Sequence, residues 1–168
     1  LLPAAVQMVA MTAFAAVIYY LAQFGAQRGY GAIGAFFTVS AVSTLAVRLW
    51  GGRLMDRLSP ARLLLPALAA GVALFLILAL SRSQALIVAS GLLYGFSNGV
   101  TTLVLNTLAV RRAGPQRMGA ASSTYLLSID LGLCLGSLVW GALLERSGFE
   151  MVFLLASALL AVLTVVAC

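Results

Sequence analysis

Hydrophobic positions along the chain fall into six long runs, at about 3–25, 31–50, 62–80, 84–109, 118–143 and 150–168, separated by short polar punctuation. Each run is about 20 residues, enough at ~1.5 Å per residue to cross a hydrocarbon core of ~30 Å. A helix on a soluble protein would break such a run with a polar face every turn. The pattern predicts an all-α membrane protein of six transmembrane helices, and the short connections make successive helices antiparallel neighbours.

Composition fits lipid as the solvent: 63% of the 168 residues are hydrophobic and 8% are charged, against roughly a quarter charged in a soluble domain. The net charge of +6 comes from ten Arg and four acids, with no Lys and no His. Those arginines sit singly or in short groups between the apolar runs, with no basic face interleaved with aromatics, so nucleic acid is excluded as a partner. Instead they set topology, because basic residues in short loops stay on the cytoplasmic side. Arg53, Arg57, Arg62, Arg111, Arg112 and Arg117 belong to one set of loops, and Arg28, Arg82 and Arg146 to the other. With the richer set inside, loops 51–61 and 110–117 are cytoplasmic, loops 26–30, 81–83 and 144–149 face out, and both ends of the chain are cytoplasmic. The expected location is the cell membrane, the inner membrane in a bacterium. Cys134 and Cys168 lie in apolar runs without C-x-x-C spacing and read as small packing residues; neither a metal nor a cofactor is expected.

An internal repeat organises the chain. Gly52-Arg53-Leu54-Met55-Asp56-Arg57-Leu58-Ser59 follows the second run and Gly141-Ala142-Leu143-Leu144-Glu145-Arg146-Ser147-Gly148 follows the fifth, both reading G-x-x-x-acid-Arg-x-small and lying 89 residues apart. A three-helix unit has an odd number of crossings, so its second copy enters from the opposite side. Units at about 3–80 and 84–168 then form a single bundle of two inverted three-helix repeats, an arrangement typical of secondary transporters.

Gly51-Gly52-Arg53-Leu54-Met55-Asp56-Arg57-Leu58-Ser59-Pro60-Ala61-Arg62 resembles the cytoplasmic loop signature G-x-x-x-D-R-x-G-R-R of the major facilitator superfamily, and lies between the second and third helices as that signature does. Gly52, Asp56, Arg57 and Arg62 match, whereas Ser59 replaces the second Gly and Pro60-Ala61 the basic pair. Such a degenerate copy, together with Phe36-Phe37 leading through Arg48 into Gly52 and with Arg117-Met118-Gly119-Ala120 opening the fifth helix, is similar to the C-terminal half of drug-exporter-like members. The resemblance implies a second partner, an N-terminal six-helix half of the same transporter. It also implies a gating latch at Gly52, Asp56, Arg57, Arg62 and Arg48. On physical grounds alone the same charges are either such a latch or a solvated, orientation-setting cluster.

Two features inside the runs carry chemistry. Asp130 sits near the centre of the fifth run, where an ionisable group costs at least ~2.5–3.5 kcal/mol to insert. It is either protonated at rest or paired with a charge outside this chain, both of which suit proton coupling, or else it is a neutral structural Asp bonded to a neighbouring helix. On the fourth run Asn98, Thr102 and Asn106 are spaced i, i+4, i+8, and Tyr94 extends the stripe back one turn. A polar stripe at that depth faces a water-filled pathway or hydrogen-bonds between helices. Tyr19 and Gln23 on the first run share a face in the same way, with Gln7 near the other end. In the family the first and fourth helices of a half line the central cavity, which implies that these residues face substrate.

Taken together, these features predict proton-coupled efflux of a small drug or metabolite by alternating access. The alternatives are an importer or symporter of the same fold and a non-transporting membrane scaffold. No His is present for H-E-x-x-H chemistry and there is no G-x-S-x-G, so an enzyme is not expected. The opening Leu1-Leu2-Pro3 and the closing Ala167-Cys168 give the expectation of a piece of a longer chain.

Overall fold

The computed structural model describes residues 2–166, apart from the side chains of Leu54, Asp56, Arg57 and Pro115. Five helical stretches make up almost all of it: α1 (Leu2–Gln27), α2 (Gly34–Arg57), α3 (Pro60–Leu80), α4 (Gln84–Ala113) and α5 (Met118–Val166), with a single 3-10 turn, Pro115–Arg117, before the last. All five are long and apolar enough to span a membrane. Turn chemistry sets the joints. Extended Ser59 (φ −66, ψ 147) delivers Pro60 to the first helical position of α3, where its missing N–H costs nothing, and Gly114 at φ 72 closes α4.

Where six separate segments were predicted, the fifth and sixth lie in one helical stretch. An unbroken helix of the 49 residues in α5 would be ~74 Å long, more than twice a bilayer core. It is broken at Gly148, whose φ of 77 and ψ of 174 fall in a region that is essentially reserved for glycine. The predicted loop 144–149 therefore shrinks to one residue. Contacts with α1 show that the chain reverses there. Gly132 meets Met8, Gly136 meets Thr12 and Gly141 meets Tyr20, so the first arm (118–147) runs parallel to α1. Beyond the break, Phe149 and Phe153 pack on Phe24, and Leu160 reaches the level of Phe14, so the second arm (149–166) runs back.

Packing does not follow chain order. Short connections do make successive helices antiparallel, but α1 packs most extensively on α5, and α2 packs on α4 rather than on α1 or α3. Small residues explain the choice, since without a hydrophobic drive between helices in lipid, close backbone approach decides which faces meet. A Cβ added at Gly91 would sit 2.6 Å from the Phe36 carbonyl oxygen, and one at Gly136 would sit 2.6 Å from that of Thr12. The α2–α4 seam runs in parallel register, from Phe36 against Gly91 through Val47 against Gly99 to Leu103 against Gly51. Helix α3 closes the bundle between α4 and the second arm of α5, with Gly71 close to Ser97 and Leu160. At the centre, Phe14 stacks on Phe75 and takes Tyr94 edge-on, and Phe24 takes Phe153 edge-on.

The predicted sorting of loops into two ends holds in space. At the Arg-poor end, Arg28 donates to the Ser81 carbonyl at 2.9 Å and to Glu150 Oε1 at 2.8 Å while lying over the Phe24 ring. The Tyr30 hydroxyl donates to the Arg82 carbonyl at 2.7 Å. These contacts tie all three Arg-poor loops together. At the other end, Pro3, Arg112, Arg117 and Thr124 surround a cavity of about 410 Å³.

Candidate substrate cavity

The predicted polar stripe on α4 opens onto a cavity of about 410 Å³ between α2 and α4, lined by Thr44, Arg48, Asn98, Gly99, Thr102, Leu103 and Asn106. That volume lies within the roughly 300–1,000 Å³ of small-molecule sites. Helical spacing brings Asn98, Thr102 and Asn106 to one face, and the glycine at 99 lets Val47 of α2 approach beside them. Thr102 is the hub. Its hydroxyl donates to Asn98 Oδ1 at 3.4 Å and accepts from Gln7 Nε2 at 3.5 Å, and its carbonyl accepts from the Tyr125 hydroxyl at 2.9 Å. The cavity wall is thereby fastened to both α1 and α5.

Arg48 also lines the cavity, a residue of the predicted run 31–50 that the resemblance assigns to the latch. Gly51-Gly52-Arg53 reads as the end of a membrane segment, but α2 continues to Arg57 and Arg48 falls inside its apolar span, Gly34–Arg53. Nine residues separate it from the end of the helix, ~14 Å along the axis. It lines the cavity together with the stripe and is exposed. Of the other residues in the loop signature, Gly52 belongs to the last turns of α2 and Arg62 is exposed in the first turn of α3. The side chains of Asp56 and Arg57 lie outside the described residues.

Tyr94 does not continue the stripe into the cavity. It is buried, edge-on to Phe14 with centroids 5.6 Å apart and tilted against Phe36 at 5.8 Å. Tyr19 and Gln23 are both exposed on α1, and neither lines this cavity. The neighbouring Tyr20, which nothing in the sequence singled out, turns into the bundle and donates to the Ser137 carbonyl at 2.6 Å. Gln7 is wholly buried; its Oε1 and the hydroxyls of Ser97 and Thr101 have no hydrogen-bond partner among the described residues.

Asp130 is exposed on the first arm of α5, on the side away from Gly132 and Gly136, and does not line the cavity. Among the described residues the one ion pair is Arg28–Glu150, so Asp130 has no cationic partner there. Cys134, one turn further along that face, is exposed rather than packed in the bundle, and Cys168 lies outside the described residues. No group of His, Cys, Asp or Glu among the described residues is arranged to hold a metal ion.

Five apolar, membrane-length helices define a multi-pass α-helical membrane protein, with a polar cavity between two of them. The family model for the Major Facilitator Superfamily matches residues 3–168, and the chain belongs to that superfamily. No curated protein matches it. Membership makes it a transporter and not an enzyme.

Proposed function

We propose that the chain is one six-helix half of a secondary active transporter that expels a small molecule, a drug or a metabolite, in exchange for protons. The observation that carries this reading is the cavity of Arg48, Asn98, Thr102 and Asn106 opening within the apolar spans of α2 and α4. A scaffold gains nothing from polar groups at that depth, whereas a carrier needs them to hold substrate between its halves. Six crossings as two inverted units of three fit the geometry: the two copies of the 89-residue repeat end at Ser59 and Gly148, each immediately before the helix that follows. The seams α1–α5 and α4–α2 correspond under that repeat, and each joins one unit to the other.

A matching N-terminal half covers the open sides. Helix α2 is the least buried of the five and presents Val42, Leu45, Leu49 and Trp50 outwards. Asp130 is exposed on the same kind of uncovered surface and is the coupling residue of this reading. The Arg-rich end lies in the cytoplasm with both chain ends, in the inner membrane of a bacterium. At that end the Gly52, Asp56, Arg57 and Arg62 segment latches one state.

The test is transport by the full-length protein in proteoliposomes across an imposed pH gradient. Asp130→Asn is expected to abolish gradient-driven efflux while leaving the purified protein folded and monodisperse. Unchanged rate and pH dependence would remove Asp130 from the coupling. The position of Arg48 also favours a second reading, import by proton symport, because an anion entering against an inside-negative potential needs proton charge to accompany it. Reversing the gradient separates the two directions.

A further inference from the structure

We propose that the α2–α4 cavity recognises a small organic anion, a carboxylate or a phosphate monoester, through the Arg48 guanidinium with Asn98 and Asn106 beside it. This rests on the reading of the chain as half of a carrier and adds the class of its cargo. Four observations carry it. Among the described residues that line the cavity, Arg48 is the one charged side chain and none is a carboxylate. Among the described residues Arg48 makes no ion pair, and it is exposed within an apolar span where an ionisable group marks function. The Thr102 hydroxyl occupies Asn98 Oδ1, which leaves the Asn98 amide N–H groups as donors. Finally, the wall offers hydroxyls and amides in place of aromatic faces: none of the lining residues is aromatic, so the cavity lacks the cage that would attract a cationic ligand.

A guanidinium presents its donors in a planar fork that matches two oxygens of one carboxylate or phosphate. Asn98 and Asn106 then stand within the same 410 Å³ cavity to donate to the remaining oxygens, and the Thr44 hydroxyl, whose hydrogen goes to the Ser40 carbonyl at 2.8 Å, accepts from a hydroxyl on the ligand. Arg48 accordingly belongs to recognition and not to the latch at the end of α2. A positively charged amphipathic molecule would be repelled from this wall.

The experiment measures binding to the full-length protein in nanodiscs by calorimetry, with no gradient applied, using benzoate and phenyl phosphate against benzyl alcohol and benzylamine. At least one of the two anions is expected to bind, and the neutral and cationic analogues are not. Arg48→Gln is expected to weaken anion binding at least tenfold, and Arg48→Lys to recover part of it, since a point charge replaces the fork. Unliganded thermal unfolding of each variant checks that the fold is kept, and Asn98→Leu, which leaves the charge in place, is expected to weaken anion binding several-fold. An anionic lipid headgroup has the same chemistry, so the titrations are run in phosphatidylcholine and in phosphatidylglycerol discs. Equal anion affinity in both lipids is expected. Binding of benzylamine in preference to benzoate, no binding by either anion, an Arg48→Gln protein with unchanged affinity, or an Arg48-dependent response to phosphatidylglycerol alone would each overturn the proposal. Because binding is read without transport, loss of the Asp130 coupling scheme would leave this result standing, and the reverse also holds.

Discussion

Along α1 and the first arm of α5, Gly132 and Gly136 bring two backbones together, and polar hooks then fix the pair: Trp140 Nε1 donates to the Thr12 carbonyl at 2.6 Å and the Tyr20 hydroxyl to that of Ser137 at 2.6 Å. Along α2 and α4, Gly91 and Gly95 make an equally close approach, and the Ser43 hydroxyl donates to the Leu92 carbonyl at 2.8 Å. Past Gly99 the second seam parts from the first. Its glycine meets the Val47 side chain instead of a backbone, and the space beside it fills with Arg48, Asn98, Thr102 and Asn106. The two seams thus differ, one a joint of close backbones and polar hooks and the other a joint that opens onto a polar cavity past Gly99. The ionisable groups follow suit. Both are exposed, Asp130 on the side of α5 away from the first seam and Arg48 among the residues that line the cavity of the second.

An added methyl group should break this comparison most strongly. In Gly136→Ala the new Cβ meets the Thr12 carbonyl oxygen at 2.6 Å and Ala15 Cβ at 2.5 Å, so backbone must move, at about 1–3 kcal/mol. In Gly99→Ala the nearest atom is Val47 Cγ1 at 3.2 Å, a side chain that can yield, and the cost should stay below about 1 kcal/mol. Thermal unfolding in detergent ranks the two; equal losses would mean that both seams are equally rigid. Trp140→Phe keeps the ring but loses the bond to Thr12, worth about 0.6–1.7 kcal/mol between membrane helices, and unfolding midpoints of the variant and parent measure it. The smallest effect belongs to the Arg-poor end. Glu150, 66% exposed, adds a surface ion pair to Arg28, so Glu150→Gln should cost a few tenths of a kcal/mol and less in high salt.

Much of this was legible in the residues. Apolar run lengths located the helices, because lipid permits only backbone that satisfies its own hydrogen bonds. The i, i+4, i+8 spacing located the cavity wall at Asn98, Thr102 and Asn106, since helical geometry fixes which side chains share a face. Arg48 lies inside the predicted run 31–50, and the resemblance assigns it to the latch; its place beside the α4 stripe depends on how α2 packs on α4, which the sequence does not carry. Tyr94 has the right spacing and the wrong surroundings, because periodicity gives a face and says nothing about whether Phe14 and Phe36 already fill it. Adjacent positions on a helix differ by ~100°, which is why Tyr20 and not Tyr19 reaches α5. Gly91 and Gly95, like Gly132 and Gly136, are four residues apart, a spacing that permits close approach of helices, but which helix each meets depends on the chain's three-dimensional path.

Water access along the two seams tests the central contrast most directly. In the full-length protein, with Cys134 and Cys168 replaced by Ser, single cysteines at Asn98 and Asn106 are compared with one at Ser128, which is buried on the α5 face towards α1. Labelling by a membrane-impermeant maleimide should be rapid at 98 and 106 and absent at 128. Protection at 98 and 106 together with labelling at 128 would place the aqueous path on the opposite side of the bundle and contradict the cavity assignment.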